Sequence, residues 1–300
     1  MGSSKELRTR IATVKTLQQV SRAMRMVASS KLYKNQRLIK NLKPFENELQ
    51  NTIRHFHLAV GTNKKSHLMQ EGKGKKVLVV AIGSNNGKCG AYNQMVVNKT
   101  IEHYQFLESK GMEVNLMVIG KKVDELLAKT KISVQIHKSE ILENFTFLSS
   151  NQLAEFFIEK FSEGEFCRID IVYSFFKNAI IQDVVAKRFL PLDHVLQFAP
   201  IVPTKHPNDS ESFDKVILEP REQEISDYLI PNFIKSILYS IFLNALASEN
   251  GARMVAMQKA SDNAMELFKA LSLTLNKERQ SLITREIVEI VSGAESMGRN

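Results

Sequence analysis

Tryptophan is absent from this 300-residue chain, and cysteine occurs only twice. Cys89 and Cys167 are far apart and share no CxxC spacing, which argues against a zinc ribbon or a dithiol redox motif and points to a reducing compartment. No uninterrupted apolar run reaches the roughly 18–20 residues of a membrane span. The longest candidate, ILYSIFLNALA, is short and interrupted by polar residues. The N-terminus, MGSSKELRTR, is charged almost from the start and lacks the apolar core of a signal peptide. GxSxG, HExxH and any nucleophile-plus-base signature are missing, so the common hydrolase and metalloprotease chemistries have no foothold. His55 and His57 stand two apart in a helical stretch, point to different faces and make a poor metal pair. Asp170, inside IDIVY, is expected at a strand edge or cap rather than as a catalyst. No internal repeat is visible.

What the chain does have is charge in one place. Residues 1–62 hold 12 Lys and Arg against 3 Asp and Glu, a net of +9 that equals the net charge of the whole chain. Within residues 1–43 the ratio is 11 to 1. A basic segment of this kind suits an acidic partner: nucleic acid, an anionic membrane or an acidic protein surface.

Residues 4–43 contain neither Pro nor Gly. Leu7, Ile11, Val14, Leu17, Val20, Met24 and Val27 recur at steps of three or four, which predicts one stripe on a long helix. Pro44 is a potential kink, after which a helical pattern resumes to about residue 60. Residues 61–76 read as a polar linker. From 77 to 203 short β-branched runs (VLVVAI, VNLMVIG, IDIVYSFF and the weaker KISVQIH) alternate with helical segments. That alternation predicts a mostly parallel α/β sheet, to which QDVVAKRFLPL and HVLQFAPIV could add edge strands. Residues 204–221 form a second polar linker. Pro231 is expected to open a helix at its first turn within 222–300, where Gly251 and Gly293 are the only glycines before Ser296. Leu267, Leu271, Leu275, Leu282, Ile287, Ile290 and Val291 make a narrow stripe on it. A long helix with a narrow stripe needs a partner of similar length. The expected fold is therefore α/β plus long helices: residues 1–60 and 222–300 form an antiparallel two-helix coiled coil, with a Rossmann-like α/β domain inserted between them.

The stretch VLVVAIGSNNGKCGAYN, residues 77–93, looks at first like a phosphate-binding loop. Gly83 to Gly87 encloses only three residues, and Cys89 rather than Ser or Thr follows Lys88. The loop is one residue short of a Walker motif and lacks the hydroxyl that would hold magnesium. It is expected to be a tight strand-to-helix turn, with Gly87 and Gly90 supplying backbone freedom.

Three segments together carry a resemblance: KELRTRIATVKTLQQVSRAMRMVASSKL near the start, GSNNGKCGAYN, and ASENGARMVAMQKASDNAMELFKALSLTLNKERQSLITREIVEIVSGAES at the end. The chain resembles the gamma subunit of the F-type ATP synthase, the central rotor shaft, over its whole length. The loop departs from the family pattern: Asn85-Asn86 replace the usual Asp-Arg, and Lys88 the usual Leu. The resemblance implies that this chain is not catalytic by itself, binds no cofactor and no nucleotide directly, and transmits torque to the beta subunits. It implies three alpha and three beta subunits, the epsilon subunit and the membrane c-ring as partners, on the cytoplasmic face of a bacterial inner membrane. It also implies site residues. Met24 would lie beside an acidic moving loop of beta. Arg253 would be a subunit-contact residue, and the Arg279–Gln280 pair would contact a catch loop of beta, with Thr284 and Glu286 one turn on. Glu219 would lie at the membrane-ring end. From spacing alone Met24 can equally be a helix-pairing Met and Arg253 part of a solvated face.

Two rivals belong to other classes. A nucleic-acid-binding basic coiled coil would bind DNA or RNA in a salt-sensitive way, but residues 1–32 hold no aromatic side chain to stack on bases. A nucleotide-dependent enzyme built around Lys88 would bind ATP.

Overall fold

The computed structural model describes residues 2–60, 66–130 apart from 71 and 73, 132–192 apart from 180, residue 219, and residues 221–297. The candidate edge strand HVLQFAPIV and nearly all of the 204–221 linker lie outside the described residues. Two compact units are present, residues 29–253 and residues 1–28 with 254–300. Helices α1 (Gly2–Val60) and α5 (Glu222–Met297) contribute to both.

The larger unit holds a five-stranded sheet in the order β3-β2-β1-β4-β5, where β1 is Lys76–Ile82, β2 Glu113–Ile119, β3 Ile136–His137, β4 Arg168–Phe176 and β5 Gln182–Leu190. β1 pairs parallel with both β2 and β4, β2 parallel with β3, and β5 closes one edge antiparallel to β4. The runs VLVVAI and IDIVY form the interior because they are apolar on both faces, as sheets covered on two sides require. Their alternate residues feed two cores. Leu78, Val80, Ile82, Ile169 and Ile171 pack with Phe157 and Phe161 of α4 (Phe147–Ser162) and with Ile230, Phe233, Ile234, Leu238, Ile241 and Phe242 of α5. Val77, Val79, Ala81 and Val172 pack with Tyr92, Val96 and Val97 of α2 (Tyr92–Ser109) and Val123 and Leu127 of α3 (Lys121–Leu127). The weak run KISVQIH keeps only two residues in the sheet. Leu68 and Met69, inside the stretch read as a linker, form a 3-10 turn and are buried in the first core.

Pro231 does not open α5. The helix begins nine residues earlier, at Glu222, with Glu222 and Glu224 in its first turn, where carboxylates complement the helix dipole. An interior proline costs about 3 kcal/mol. The five side chains past Pro231 are buried from either start, so the balance rests on the turns before it, where Ile230 is buried in the first core and Leu229 packs against it; full burial of such a side chain contributes about 1.5–3 kcal/mol, which offsets the proline. The same burial explains why α5 contains an 18-residue window of mean hydropathy 1.4, apolar enough to cross a membrane by composition, of which 56% is buried within the protein. Pro44 likewise lies inside a continuous α1.

In the smaller unit the apolar stripe is not the expected one. Past Val14 the sheltered positions are Gln18, Ser21, Met24, Arg25 and Ala28, whereas Leu17, Val20 and Val27 are exposed. The reason is angular. Each step of three residues falls about 60° short of a full turn, so Val14, Leu17 and Val20 in succession walk off the face. The sheltered line alternates steps of four and three, as does the one on α5: Met257, Ser261, Ala264, Phe268, Leu271, Leu275. Leu267, Leu282, Ile287, Ile290 and Val291, expected on that stripe, are exposed. The Arg25 guanidinium donates to Oε1 of Gln258, whose amide reaches both carboxylate oxygens of Asp262 at 2.8 Å.

Candidate functional site

The strand order turns back on itself between β1 and β4. At such a switch point the two neighbouring connections diverge, leaving a crevice at the carboxyl ends of the strands that in open α/β sheets receives ligands. Here the crevice is crossed by residues 245–253 of α5. The Tyr92 hydroxyl donates to the Ala245 carbonyl at 3.2 Å. Ser248 Oγ donates to the Ser174 carbonyl on β4 at 3.1 Å. A Cβ on Gly251 would stand 3.4 Å from Cα of Ala179 and 3.5 Å from the Phe176 ring. Arg253 Nη2 donates to Glu249 Oε1 at 2.7 Å, to the Asn86 carbonyl at 2.9 Å and to the Gly87 carbonyl at 3.4 Å.

The Gly-rich loop is shaped for this embrace. Its left-handed residues are Lys88 (φ 62°) and Gly90 (φ 61°). Gly87, expected to supply the freedom, is not among the positive-φ residues; its carbonyl faces Arg253 instead. Ser84 N donates to Asn93 Oδ1 at 3.1 Å, and Asn93 Nδ2 donates to Ser84 Oγ at 2.9 Å and to Cys89 Sγ at 3.2 Å. Gly120, at φ 128°, lets the chain after β2 approach: a Cβ there would meet Ser84 N at 2.8 Å. Asn85 donates to the Ser139 carbonyl at 2.9 Å and accepts from the Lys121 amide at 3.1 Å. A carboxylate at this position could only accept, which gives the Asn at position 85 a local rationale.

The electrostatics follow from burial. Burial pushes the Glu249 carboxyl above the usual range, with Arg253 and then Lys31 pulling it partly back. Burial also raises the Cys89 thiol, with Ser84 and Arg253 opposing, so the sulfur behaves as a protonated hydrogen-bond partner and not a nucleophile. The Tyr92 phenol is likewise driven well up by burial. Beside the loop lies a cavity of about 370 Å³ whose lining includes Lys31, Lys34, Phe145, Tyr239, Glu249 and Arg253.

Asp170 is not at a strand edge. It is fully buried on β4, inside the sheet, and bound by His103 Nε2 at 2.7 Å and by Arg168 Nε at 2.7 Å. Burial pushes its carboxyl up, but the bonds from His103 and Arg168 outweigh it and hold the carboxyl below its ordinary value.

The expected site residues do not converge. Arg253 joins the crevice cluster, with its side chain 11% exposed, so it is no solvated face. Met24 is half-buried on α1. Arg279, Gln280, Thr284 and Glu286 are exposed on α5, with the Thr284 hydroxyl donating to the Gln280 carbonyl at 2.9 Å. Glu219 is exposed just before α5. The partners Tyr92, Ser248 and Glu249 were missed. Glu249 and Arg253 form a readable i,i+4 pair, but nothing local in the sequence announces the loop carbonyls. Among the described residues no group of three or more His, Cys, Asp or Glu is placed to hold a metal ion.

Comparison with known proteins closes the question of kinship. Residues 3–297 match the ATP synthase family. The chain is 38% identical to the ATP synthase gamma chain of Flavobacterium psychrophilum over 297 residues, covering 99% of each. It is 32% identical to that of Bacteroides thetaiotaomicron over 298 residues, covering 98% of this chain and 99% of the other. In fold it is similar to a chain of the Euglena gracilis mitochondrial ATP synthase assembly of OSCP, F1 and c-ring, with a TM-score of 0.65 at 20% identity over 99% of this chain and 95% of that one. It is similar also to a chain of the Tetrahymena thermophila central stalk and c-ring, with a TM-score of 0.55 at 23% identity over 81% and 99%. The mixed α/β sheet with a long C-terminal helix, read together with relatives that match from end to end, places this chain in the gamma-subunit family of the F-type ATP synthase.

Proposed function

We propose that this chain is the torque-transmitting rotor shaft of its complex and takes no part in the chemistry itself. The observation that carries the reading is the end-to-end match to gamma chains, joined to a C-terminal helix whose residues 279–292 are exposed throughout. In this reading residues 1–60 and 222–300 pair as an antiparallel coiled coil. The alternating three- and four-residue spacing of sheltered positions on both helices supports that pairing. Residues 77–203 are the inserted Rossmann-like domain, with 61–76 and 204–221 as its connections. One copy stands within three alpha and three beta subunits, with epsilon and the membrane c-ring at the other end, on the cytoplasmic face of a bacterial membrane. A single asymmetric shaft touches each beta subunit differently, so each angle favours a different beta conformation. The coupling is reciprocal for binding: nucleotide occupancy biases the angle and the angle biases affinity.

Arg279 and Gln280 are the residues we assign to an angle-dependent latch on beta, since an exposed guanidinium can grip a carboxylate through two bonds. Thr284 and Glu286 extend that contact. Met24 contacts beta and Glu219 lies towards the ring, whereas the Arg253 guanidinium, nearly enclosed and bonded to Glu249 and the loop carbonyls, acts within the chain. The test is Arg279→Ala with Gln280→Ala in the assembled complex. ATP synthesis per ion translocated should fall while the isolated chain keeps its melting temperature, because both side chains are exposed. Unchanged synthesis and torque would remove the latch.

A further inference from the structure

We infer that the crevice at the β1–β4 switch point, the place where doubly wound sheets hold ligands, serves in this chain as a socket that locks α5 to the sheet, and that Arg253, Tyr92 and Ser248 are positioning residues which set its torsional stiffness. This rests on the rotor-shaft reading above. Three features of the socket favour load transfer over mere packing. First, the polar contacts climb the helix at intervals of three to five residues (245, 248 and 253), on one side of it. Each bond acts at the helix radius against rotation about the helix axis, and their spread along the axis resists tilting of the helix against the sheet. Second, they fall on different parts of the sheet's carboxyl edge: the start of α2, strand β4 and the loop after β1. A torque on the sheet is thereby spread over three anchor points. Third, at Gly251 the helix runs one methyl group's depth from Ala179 and Phe176, where an added Cβ would already stand in ordinary contact at 3.4–3.5 Å. Arg253 is the strongest member. It is charged, nearly enclosed and held in place by Glu249 at 2.7 Å, and charge-assisted bonds are about twice as strong as neutral ones.

The test reads stiffness directly. Both native cysteines are buried, so a maleimide-linked bead can be directed to a Cys introduced at exposed Glu108 on α2. The complex is assembled with alpha and beta, and the thermal spread of bead angle is recorded in a catalytic dwell. Of the four polar contacts from α5 to the sheet and its loops given above, two belong to Arg253. If such contacts act as equal springs and add independently, Arg253→Ala widens the angular variance by up to about twofold. Arg253→Lys should recover part of the loss, and Tyr92→Phe with Ser248→Ala should widen it without removing a charge, which keeps the test available if Arg253→Ala does not fold. Arg279→Ala should leave the variance unchanged while lowering torque. A variance equal to wild type in assembled, rotating Arg253→Ala and Tyr92→Phe/Ser248→Ala complexes would overturn the socket alone. Failure of the wild-type chain to assemble with alpha and beta would overturn the rotor reading beneath it.

Discussion

Removing the Arg253 guanidinium should destabilise the chain strongly at alkaline pH and much less at acid pH. Arg253→Met keeps most of the stem's bulk and deletes the charge. The pair is nearly enclosed, each side chain being 11% exposed. Deleting one partner of a buried pair costs about 3–5 kcal/mol, because the other charge is left uncompensated. Glu249 has an escape, since burial already lifts its carboxyl and Arg253 is the main group pulling it back. Without the guanidinium the folded-state pKa rises further, and the carboxyl takes a proton. A group whose folded pKa lies above its unfolded one contributes stability in full below the unfolded value and loses it as pH rises through the folded value. Between those limits the deficit grows by about 1.4 kcal/mol per pH unit. Near pH 5 the loss should thus approach that of the hydrogen bonds to Asn86 and Gly87, about 1–3 kcal/mol; near pH 8 the charge penalty is added to it. The assay is urea unfolding of the full chain, followed by circular dichroism at both pH values. Arg253→Met with Glu249→Gln should recover most of the alkaline loss and flatten its pH dependence. Equal loss at the two pH values, with no recovery from the Gln, would refute the reasoning.

Two glycines make opposite predictions. At Gly251 an added Cβ meets its neighbours at 3.4–3.5 Å, ordinary contact, so Gly251→Ala should stabilise the helix by about 0.5–1 kcal/mol, read as a higher melting temperature. At Gly83 the Cβ would lie 2.0 Å from Val123 Cγ2; Gly83→Ala should cost at least about 1–3 kcal/mol, and adding Val123→Ala should return part of it, whereas strict additivity would rule out the clash. Asp170, held below its ordinary pKa, contributes stability that is present above the unfolded value and lost as pH falls through the folded one. Acid unfolding below about pH 4 should accordingly be less steep in Asp170→Asn than in wild type.

How much of this was legible depended on whether the deciding interaction was local. The strands VLVVAI and IDIVY could be read because burial on both faces leaves a continuous apolar run. The length of α1 could be read because nothing in residues 4–43 breaks a helix. The stripe on α1 could be read only to Val14, because beyond it the buried positions are Ser21 and Ala28, and small residues carry no periodic apolar signal. Pro231 misled because a local rule about helix starts was outweighed by tertiary packing of the turns before it, where Ile230 is buried and Leu229 packs against the same core. Asp170 was misplaced because one of the two side chains that hold it, His103, is 67 positions away, although the other, Arg168, is only two away. The loop could be excluded as a Walker motif by spacing, yet its role as half of a socket depends on Arg253, 167 residues from Asn86.

The first core joins Ile53 of α1, the strands, and Ile230 to Ala245 of α5, which gives the order of synthesis a consequence. A ribosome delivers the strands well before α5 has left the exit tunnel. Until then one face of the sheet, including Leu78, Val80, Ile169 and Ile171, has no helix from the C-terminal side to cover it. Domains otherwise tend to fold as they emerge; this one must wait for nearly its last quarter. Nascent chains stalled before residue 230 should be sticky and in need of a chaperone, and release of the finished chain should be the moment at which the sheet becomes dry on both sides.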